Sequence, residues 1–599
     1  MDMYGFYTGR CFDAYEYLGC HVEEKGACFR TFAPAAVKVS VIGEFNQWQD
    51  TPMEKIYDGN FWECRIPGAK PGMLYKYRIY RRDGRVLDHC DPYGFGMELR
   101  PNSASVIRNL REYAFQDTEW MKKRTDCKNG PLNIYEVHAG SWKKKTTAED
   151  GWYDYRELGE LLIPYVKDMG YNYIELLPLG EYPSDASWGY QTTGFYSPTS
   201  RYGSCEKLQA FVDDCHQAGI GVILDFVPVH FAVDDYGLAD YDGTALYEYP
   251  HTDVGDSQWG SKNFNHSRGE VRSFLQSCAN YWLREYHFDG LRMDAISNMI
   301  YWQGDPARGV NRGAVDFLRD MNRGLKERNQ GILLAAEDST DFAGVTDPWE
   351  ANGLGFDYKW DMGWMHDTLE YFQTAPMYRS RDYHKLTFSM EYFYREKYLL
   401  PLSHDEVVHG KATILQKMNG EYEGKFPQGR ALYLYMYFHP GKKLNFMGSE
   451  FGQLREWDEK RQQDWELKTY PNHDAFARFM KELNRFYLEH KALWALDYDR
   501  AGFWWADCAQ EKRCLYVMVR SDNKERLLAV FNFSAERQSR YPLELAKAGG
   551  GKRLSLLLDT DWEIYGGGTP VKEESFLADQ DGVVTIGAAA FSGRVFCIS

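Results

Sequence analysis

Three short segments each end an apolar run with a carboxylate: Phe288-Asp-Gly-Leu-Arg-Met-Asp294, Leu333-Leu-Ala-Ala-Glu337 and Leu399-Leu-Pro-Leu-Ser-His-Asp405. Each run reads as a buried strand of a parallel sheet. A carboxylate just past such a run sits at the carboxyl end of its strand, where open and closed α/β folds carry their sites. Three acids at corresponding positions on three strands can converge. Paired carboxylates are what glycosidic-bond chemistry requires, so these segments point to an enzyme acting on a sugar polymer.

The candidate roles follow from the neighbours. Cleaving an acetal with retention needs one carboxylate to attack carbon while another cycles between acid and base. Asp294 is the candidate nucleophile, because Arg292 lies two residues earlier on the same strand face and an adjacent guanidinium keeps a carboxylate ionised. A structural Asp–Arg pair would show the same spacing. Glu337 closes the run Ile332-Leu-Leu-Ala-Ala, where desolvation would raise its pKa as a general acid requires. Its alternative, capping a following helix, could fall to Asp338 or Ser339. Asp405 could hold sugar hydroxyls and favour ring distortion, with His404 and His230 as donors beside it. Asp225 and His230 flank Phe-Val-Pro-Val after a further apolar run. These two lack a third and fourth ligand at zinc-like spacing, and the Asp-rich stretch downstream has no EF-hand pattern. Neither a metal nor a cofactor is expected.

The elements that must position these groups are legible as texture. Residues 1–112 read as all-β, with alternation in Ala27-Cys-Phe-Arg-Thr-Phe-Ala-Pro and Val37-Lys-Val-Ser-Val-Ile-Gly, which suggests a β-sandwich. Asn46, Trp48, Trp62, Tyr75 and Tyr77 could offer it a sugar platform, or could equally be core aromatics. From 113 to 495, strands alternate with amphipathic helices. Eight strand candidates begin near Leu132, Tyr173, Gly221, His287, Gly331, Gly355, Tyr398 and Lys443, which fits a (β/α)8 barrel. One helix is explicit: Val271, Phe274, Leu275, Cys278, Ala279, Trp282 and Leu283 recur at helical spacing and the helix ends at Tyr286. An aperiodic insert at 231–267 follows the third strand and reads as a cleft wall or lid. Residues 496–599 return to β texture, predicting a C-terminal β-sandwich. The fold class expected is therefore α/β, a (β/α)8 barrel flanked by an N-terminal β-sandwich and a C-terminal all-β domain.

Composition excludes some partners. The chain of 599 residues is too long for one core. Its net charge of −17 disfavours nucleic acid and anionic membranes. No apolar run of about 18 residues occurs, so no membrane helix is expected. The start has neither a basic nor an apolar signal region. The 12 cysteines form no CxxC pair and read as reduced thiols of a cytoplasmic protein. The aromatic content of 16% suits sugar stacking without proving it.

Four ordered segments resemble the signatures of the α-amylase superfamily: Asp225-Phe-Val-Pro-Val-His230, Asp289-Gly-Leu-Arg-Met-Asp294, Ala336-Glu337-Asp and Leu402-Ser-His-Asp405. Others look more specifically like the glycogen (1,4-α-glucan) branching enzymes. These are Ile134-Tyr-Glu-Val-His-Ala-Gly-Ser-Trp142, the segment from Ser187-Trp-Gly-Tyr-Gln to Arg201-Tyr-Gly203, His404-Asp-Glu-Val-Val-His-Gly-Lys411 and Met447-Gly-Ser-Glu-Phe-Gly-Gln453. The likeness runs from Tyr17-Leu-Gly and Phe45-Asn-Gln-Trp48, similar to the carbohydrate-binding sandwich of such enzymes, to Ala588-Ala-Ala-Phe-Ser-Gly-Arg-Val-Phe596. It implies Asp294 as nucleophile, Glu337 as acid/base, Asp405 as transition-state stabiliser and Arg292 as orienter of Asp294. Tyr190 would stack on the sugar, and Asp225, His230 and His404 would bind its hydroxyls. The reaction implied is transfer of an α-1,4-glucan segment to a 6-hydroxyl, with glucan as both donor and acceptor. A monomer or weak oligomer is expected. Family members often carry Gly where Val229 stands and a second Glu where Asp338 stands. A hydrolase of the same superfamily shares the carboxylates, and a non-catalytic glucan-binding protein is the alternative of a different class.

Overall fold

In the computed structural model, which describes residues 1–599, the eight candidate strands form one closed parallel barrel. Its strands are β1 (Asn133–Val137), β2 (Tyr173–Leu176), β3 (Gly221–Phe226), β4 (Gly290–Met293), β5 (Leu333–Ala336), β6 (Tyr358–Trp360), β7 (Tyr398–Leu402) and β8 (Lys442–Phe446). The period of two along each strand divides the barrel walls into two faces. Ile134, Tyr173, Ile223, Leu333, Ala335, Tyr358, Trp360, Leu399 and Leu444 form a separate apolar cluster that fills the barrel. The alternate residues, such as Leu291, Met293, Leu334 and Ala336, join the main core under the helices. The same inward parity continues above the apolar plug as Asp225, Arg292 and Glu337. Strand register sets Glu136 beside Glu175, and Asp225 beside Arg292.

The N-terminal region holds two antiparallel sheets of four and five strands, spanning Gly19–Glu23 to Ser105–Val106. It is not all-β: Met3–Thr8 is a helix against the barrel helix Gly269–Glu285. That barrel helix carries the expected apolar stripe, and its other face is buried as well. Ser273, Gln276, Ser277 and Asn280 donate to the carbonyls of Phe6, Gly9, Cys11 and Phe12 at 2.8–3.1 Å. The polar face thus satisfies carbonyls at the end of the helix Met3–Thr8 and in the irregular stretch that follows it. Of the five proposed platform residues, Trp62, Tyr75 and Tyr77 are core. Trp62 donates to Ala33 O, and both tyrosines donate to Asp91. Asn46 closes a turn onto Val41 and Thr51. Only Trp48 faces solvent.

The insert at 231–267 is packed structure. Its Leu238, Tyr241, Leu246 and Tyr247 are buried, and its backbone carbonyls accept from His89 and Cys90 of the N-terminal sheets. Beyond the barrel, a six-stranded and a two-stranded sheet enclose a small core that includes Val517, Val530, Ile586 and Phe596. Buried Arg520 ties this domain down by donating to Phe438 O, Gly502 O and Asp497. No helix is long and apolar enough to cross a membrane.

Strand β4 is anchored below as well as above. Asp289, just before it, accepts from Trp120 Nε1, the Val222 amide and His216 Nε2 at 2.7–2.9 Å. His216 Nδ1 in turn reaches Asp117, which His287 also contacts. Burial opposes charge on His216, but Asp289 and Asp117 outweigh it and raise its pKa to about 9. A histidine charged more readily in the folded state gives stability that is complete below its unfolded pKa of about 6.5 and lost as pH rises through the folded value. The linked contribution is on the order of 3 kcal/mol. Between about pH 6 and pH 10 the melting temperature should fall further in the wild type than in His216→Gln. Equal losses in calorimetry would show that the cluster carries no such charge.

Candidate active site

A cleft of about 390 Å³ opens at the carboxyl end of the barrel, lined by Trp188, Tyr190, His230, Trp259, Asp294, Glu337, His404, Asp405 and His409. Asp225 and Arg292 lie directly beneath it. The structure therefore brings all eight candidate residues of the sequence to one place, drawn from β3, β4, β5, β7 and the loop after β2.

Arg292 is the hub, with no exposed side-chain surface. Its Nη1 donates to Asp225 Oδ2 and, at 3.1 Å, to Asp294 Oδ1; its Nη2 donates to Glu337 Oε2. Trp360, from the apolar plug, packs under the guanidinium with its ring centre 4.3 Å from Cζ. The planar fork fixes the directions of its donors, so one side chain holds three carboxylates at set positions. Just past Asp294, Ala295 takes a left-handed backbone conformation (φ 42°). This directs its N–H to Glu337 Oε2 at 3.1 Å. A non-glycine residue there costs about 1–3 kcal/mol and persists only where its surroundings hold it.

Tyr190 donates to Asp225 Oδ2 and lies nearly parallel to the His404 ring, 5.6 Å away. His404 Nε2 is 3.4 Å from Asp405 Oδ1. His230 is buried and neutral, since burial lowers its pKa to about 4. Trp259 of the insert covers its ring at 5.0 Å, and Gln191 holds the Trp259 carbonyl. The insert thus forms one wall of the cleft. Opposite, Trp188 and His409 stack at 5.3 Å. Asp338 does not cap a helix. It is buried, bound to Lys359 at 2.9 Å, and turns the chain by accepting from Thr340.

The electrostatics of Asp294 depart from the sequence expectation. Arg292 favours the ionised form of Asp294, as expected, but burial and the carboxylates of Glu337, Asp225 and Asp405 outweigh it, holding Asp294 well above the usual range. Burial likewise raises Asp225 to about 6, against the pull of Arg292 and Tyr190. Asp405 goes the other way: burial opposes its charge, but His404 and Arg292 prevail and lower it. Asp225, Asp294 and Asp405 share one field and titrate as a set, so the retained proton belongs to the cluster rather than to one acid.

Sequence reading missed several contributors. Glu136 binds His404, Trp360 supports Arg292, and Trp259, Trp188 and His409 form the walls. Glu136 stood unassigned within the segment Ile134–Trp142 and Trp360 within an apolar strand, and for both the signal was inward parity. The walls come from loops whose course no periodicity encodes.

Three family models match the chain: carbohydrate-binding module 48 (isoamylase N-terminal domain) over residues 17–94, the alpha amylase catalytic domain over 137–238, and the alpha amylase C-terminal all-beta domain over 505–597. The chain is 44% identical to a 1,4-alpha-glucan branching enzyme GlgB of Fusobacterium nucleatum, covering 95% of this chain and 92% of that protein. It is 46% identical to the GlgB of Geobacillus stearothermophilus, covering 89% and 85%. The fold also matches a pullulanase from Bacillus acidopullulyticus with a TM-score of 0.73 at 15% identity, over 97% of this chain and 74% of that one.

Because Asp294 is held above its unfolded pKa, its ionisation costs stability at neutral pH and costs nothing once the pH falls below the unfolded value near 4. Asp294→Asn should therefore raise folding stability near pH 7, with the advantage gone by about pH 4. Thermal melts at both pH values decide this. A variant less stable than wild type at neutral pH would mean that Arg292 already compensates the carboxylate.

Proposed function

The chain belongs to the 1,4-alpha-glucan branching enzymes of the alpha-amylase superfamily, and we propose that it cuts an α-1,4-glucan and transfers the released segment to a 6-hydroxyl, forming an α-1,6 branch in glycogen. The observation that carries this reading is the convergence of Asp294 and Glu337 on one buried guanidinium, in a chain alike over nearly its whole length to branching enzymes. The carboxylates alone would suit a hydrolase equally. A non-catalytic binder would have no use for all of Asp294, Glu337 and Asp405.

Asp294 Oδ attacks the anomeric carbon of the donor sugar while Glu337 protonates the departing glycosidic oxygen. These roles place the acid proton on Glu337 and leave Asp294 ionised as the nucleophile. Glu337 Oε2 is occupied by Arg292 and the Ala295 amide, so Oε1 is the oxygen free to carry that proton. The resulting glucosyl ester on Asp294 is then attacked by an acceptor O6, whose proton returns to Glu337. Two inversions give net retention. Asp405, ionised beside His404, balances the positive charge that develops on the ring. Arg292 holds Asp294 and Glu337 in register. Tyr190 supplies a stacking face, and Asp225, His230 and His404 supply hydroxyl contacts. Transfer rather than hydrolysis requires that a sugar hydroxyl outcompete water at the ester. Trp48 of the N-terminal module, exposed in a left-handed turn, offers a stacking face remote from the reacting atoms. A cytoplasmic setting is supported by the twelve cysteines, none of which is paired.

Incubation with amylose, following iodine absorbance and reducing ends together and then debranching with isoamylase, tests the reading. Loss of iodine colour without new reducing ends, followed by their release on debranching, is the expected result. Reducing ends that rise with the colour loss would mean a hydrolase. Asp294→Ala should lower turnover by roughly 10³-fold or more while glucan binding persists. Full activity in that variant would remove Asp294 as nucleophile.

A further inference from the structure

Two glutamates stand side by side in the barrel interior beneath the cleft, on neighbouring strands and in direct register: Glu136 of β1 and Glu175 of β2. Their surroundings differ sharply. Glu136 receives a two-point contact from one residue, His404, whose Nδ1 donates to Oε1 at 2.6 Å and whose amide donates to Oε2 at 2.9 Å. Glu175 is equally buried, and neither of its oxygens has a protein partner.

The hydrogen-bond chain around His404 fixes where its protons are. Nδ1 faces a carboxylate oxygen of Glu136. Nε2 faces the Tyr190 hydroxyl oxygen at 3.2 Å and Asp405 Oδ1 at 3.4 Å. The Tyr190 proton is committed to Asp225 Oδ2, and Arg292 Nη1 donates to the same hydroxyl oxygen at 3.3 Å. Tyr190 can therefore only accept from His404. Both ring nitrogens face acceptors, and only the doubly protonated ring satisfies both.

We propose that Glu136 is a positioning residue that holds His404 as an imidazolium with its Nε2–H aimed at the floor of the cleft. This rests on the reading of His404 and Asp405 as contacts to the donor sugar. Its consequence is a fixed positive charge beside Asp405, so that Asp405 stays ionised and the sugar meets a donor rather than an acceptor. The titratable and charged groups facing the imidazole are Glu136, Glu175, Asp225, Arg292, Tyr190 and Asp405, with neutral His138 behind. Burial opposes the charge, but Asp405 and Glu136 overcome it and raise His404 to about 10. For Glu175, burial and the charges of Glu136 and Asp225 push the carboxyl well above the usual range, so it stands as a neutral acid.

The neighbouring glutamates thus form an internal control. A neutral acid is close in shape and charge to glutamine, whereas an ionised one is not. The test is the two-bond proton–nitrogen spectrum of the full chain labelled with ¹⁵N-histidine, with the His404 signals identified by their loss in His404→Gln. Imidazolium signals are expected near pH 8 in wild type and in Glu175→Gln, and neutral-ring signals in Glu136→Gln. Turnover of amylose should fall roughly 10- to 100-fold in Glu136→Gln, mainly in kcat, with a new alkaline limb in its pH profile. In Glu175→Gln it should stay within about threefold of wild type, the tolerance expected of a shape-conserving swap. A neutral His404 in the wild type at pH 8 would overturn the proposal, and this needs no variant to fold. So would a persistent imidazolium in Glu136→Gln, or equal activity losses in the two variants. The nitrogen signals do not depend on which reaction is catalysed. An active Asp294→Ala beside the expected spectra would therefore reject the assignment of the nucleophile and leave Glu136 standing.

Discussion

A buried guanidinium among carboxylates is the constraint around which this molecule is arranged. Arg292 has no contact with solvent, and a charge so placed is tolerable only when its donors meet oppositely charged acceptors of good geometry. Asp225, Asp294 and Glu337 supply them from three adjacent strands. The dependence runs both ways. Without Arg292 three carboxylates would share a low-dielectric pocket unpaired, and without them the arginine would be an uncompensated buried cation.

The barrel makes that cluster possible by layering. The lower interior is an apolar plug ending in Trp360, which supports the guanidinium from below and keeps water away. Above it comes one polar layer, containing Glu136, the neutral Glu175, Asp225 and Arg292, and above that the groups facing the cleft. Each step up two residues along a strand changes the layer. Chemistry is thereby raised on a dry foundation, where electrostatic interactions are stronger than in water. The anchor at the opposite end, where Asp289 binds His216 and Trp120, fixes the lower end of the strand that carries Arg292 and Asp294.

The flanking domains act on the site indirectly. The N-terminal sheets hold the insert at 231–267, and the insert carries Trp259 into the cleft wall. Of the two readings of that segment, cleft wall or lid, the structure shows the wall, with apolar side chains packed within it and its backbone held by the N-terminal sheets. The N-terminal helix and the stretch after it lie on the barrel helix Gly269–Glu285, which leads directly into β4.

The sequence by itself determined the eight strands, their order, and the acids and histidines at their ends. These are local: a two-residue period, an apolar run and the residue that closes it are written contiguously. It also determined the family, because ordered motifs such as Asp289-Gly-Leu-Arg-Met-Asp294 are contiguous as well. The tertiary structure alone decided what depends on residues far apart in the chain. It made Trp62, Tyr75 and Tyr77 core rather than platform, since only packing of two sheets settles which face of a strand is inside. It buried the polar face of Gly269–Glu285, whose Ser, Gln and Asn spacing reads as a solvent face until residues 6–12 are laid upon it. It also reversed the expected bias on Asp294, because the burial of its carboxyl and its distances from Glu337, Asp225 and Asp405 exist only in the fold. Electrostatic balance is a sum over distances in space, and the linear order of residues does not contain those distances.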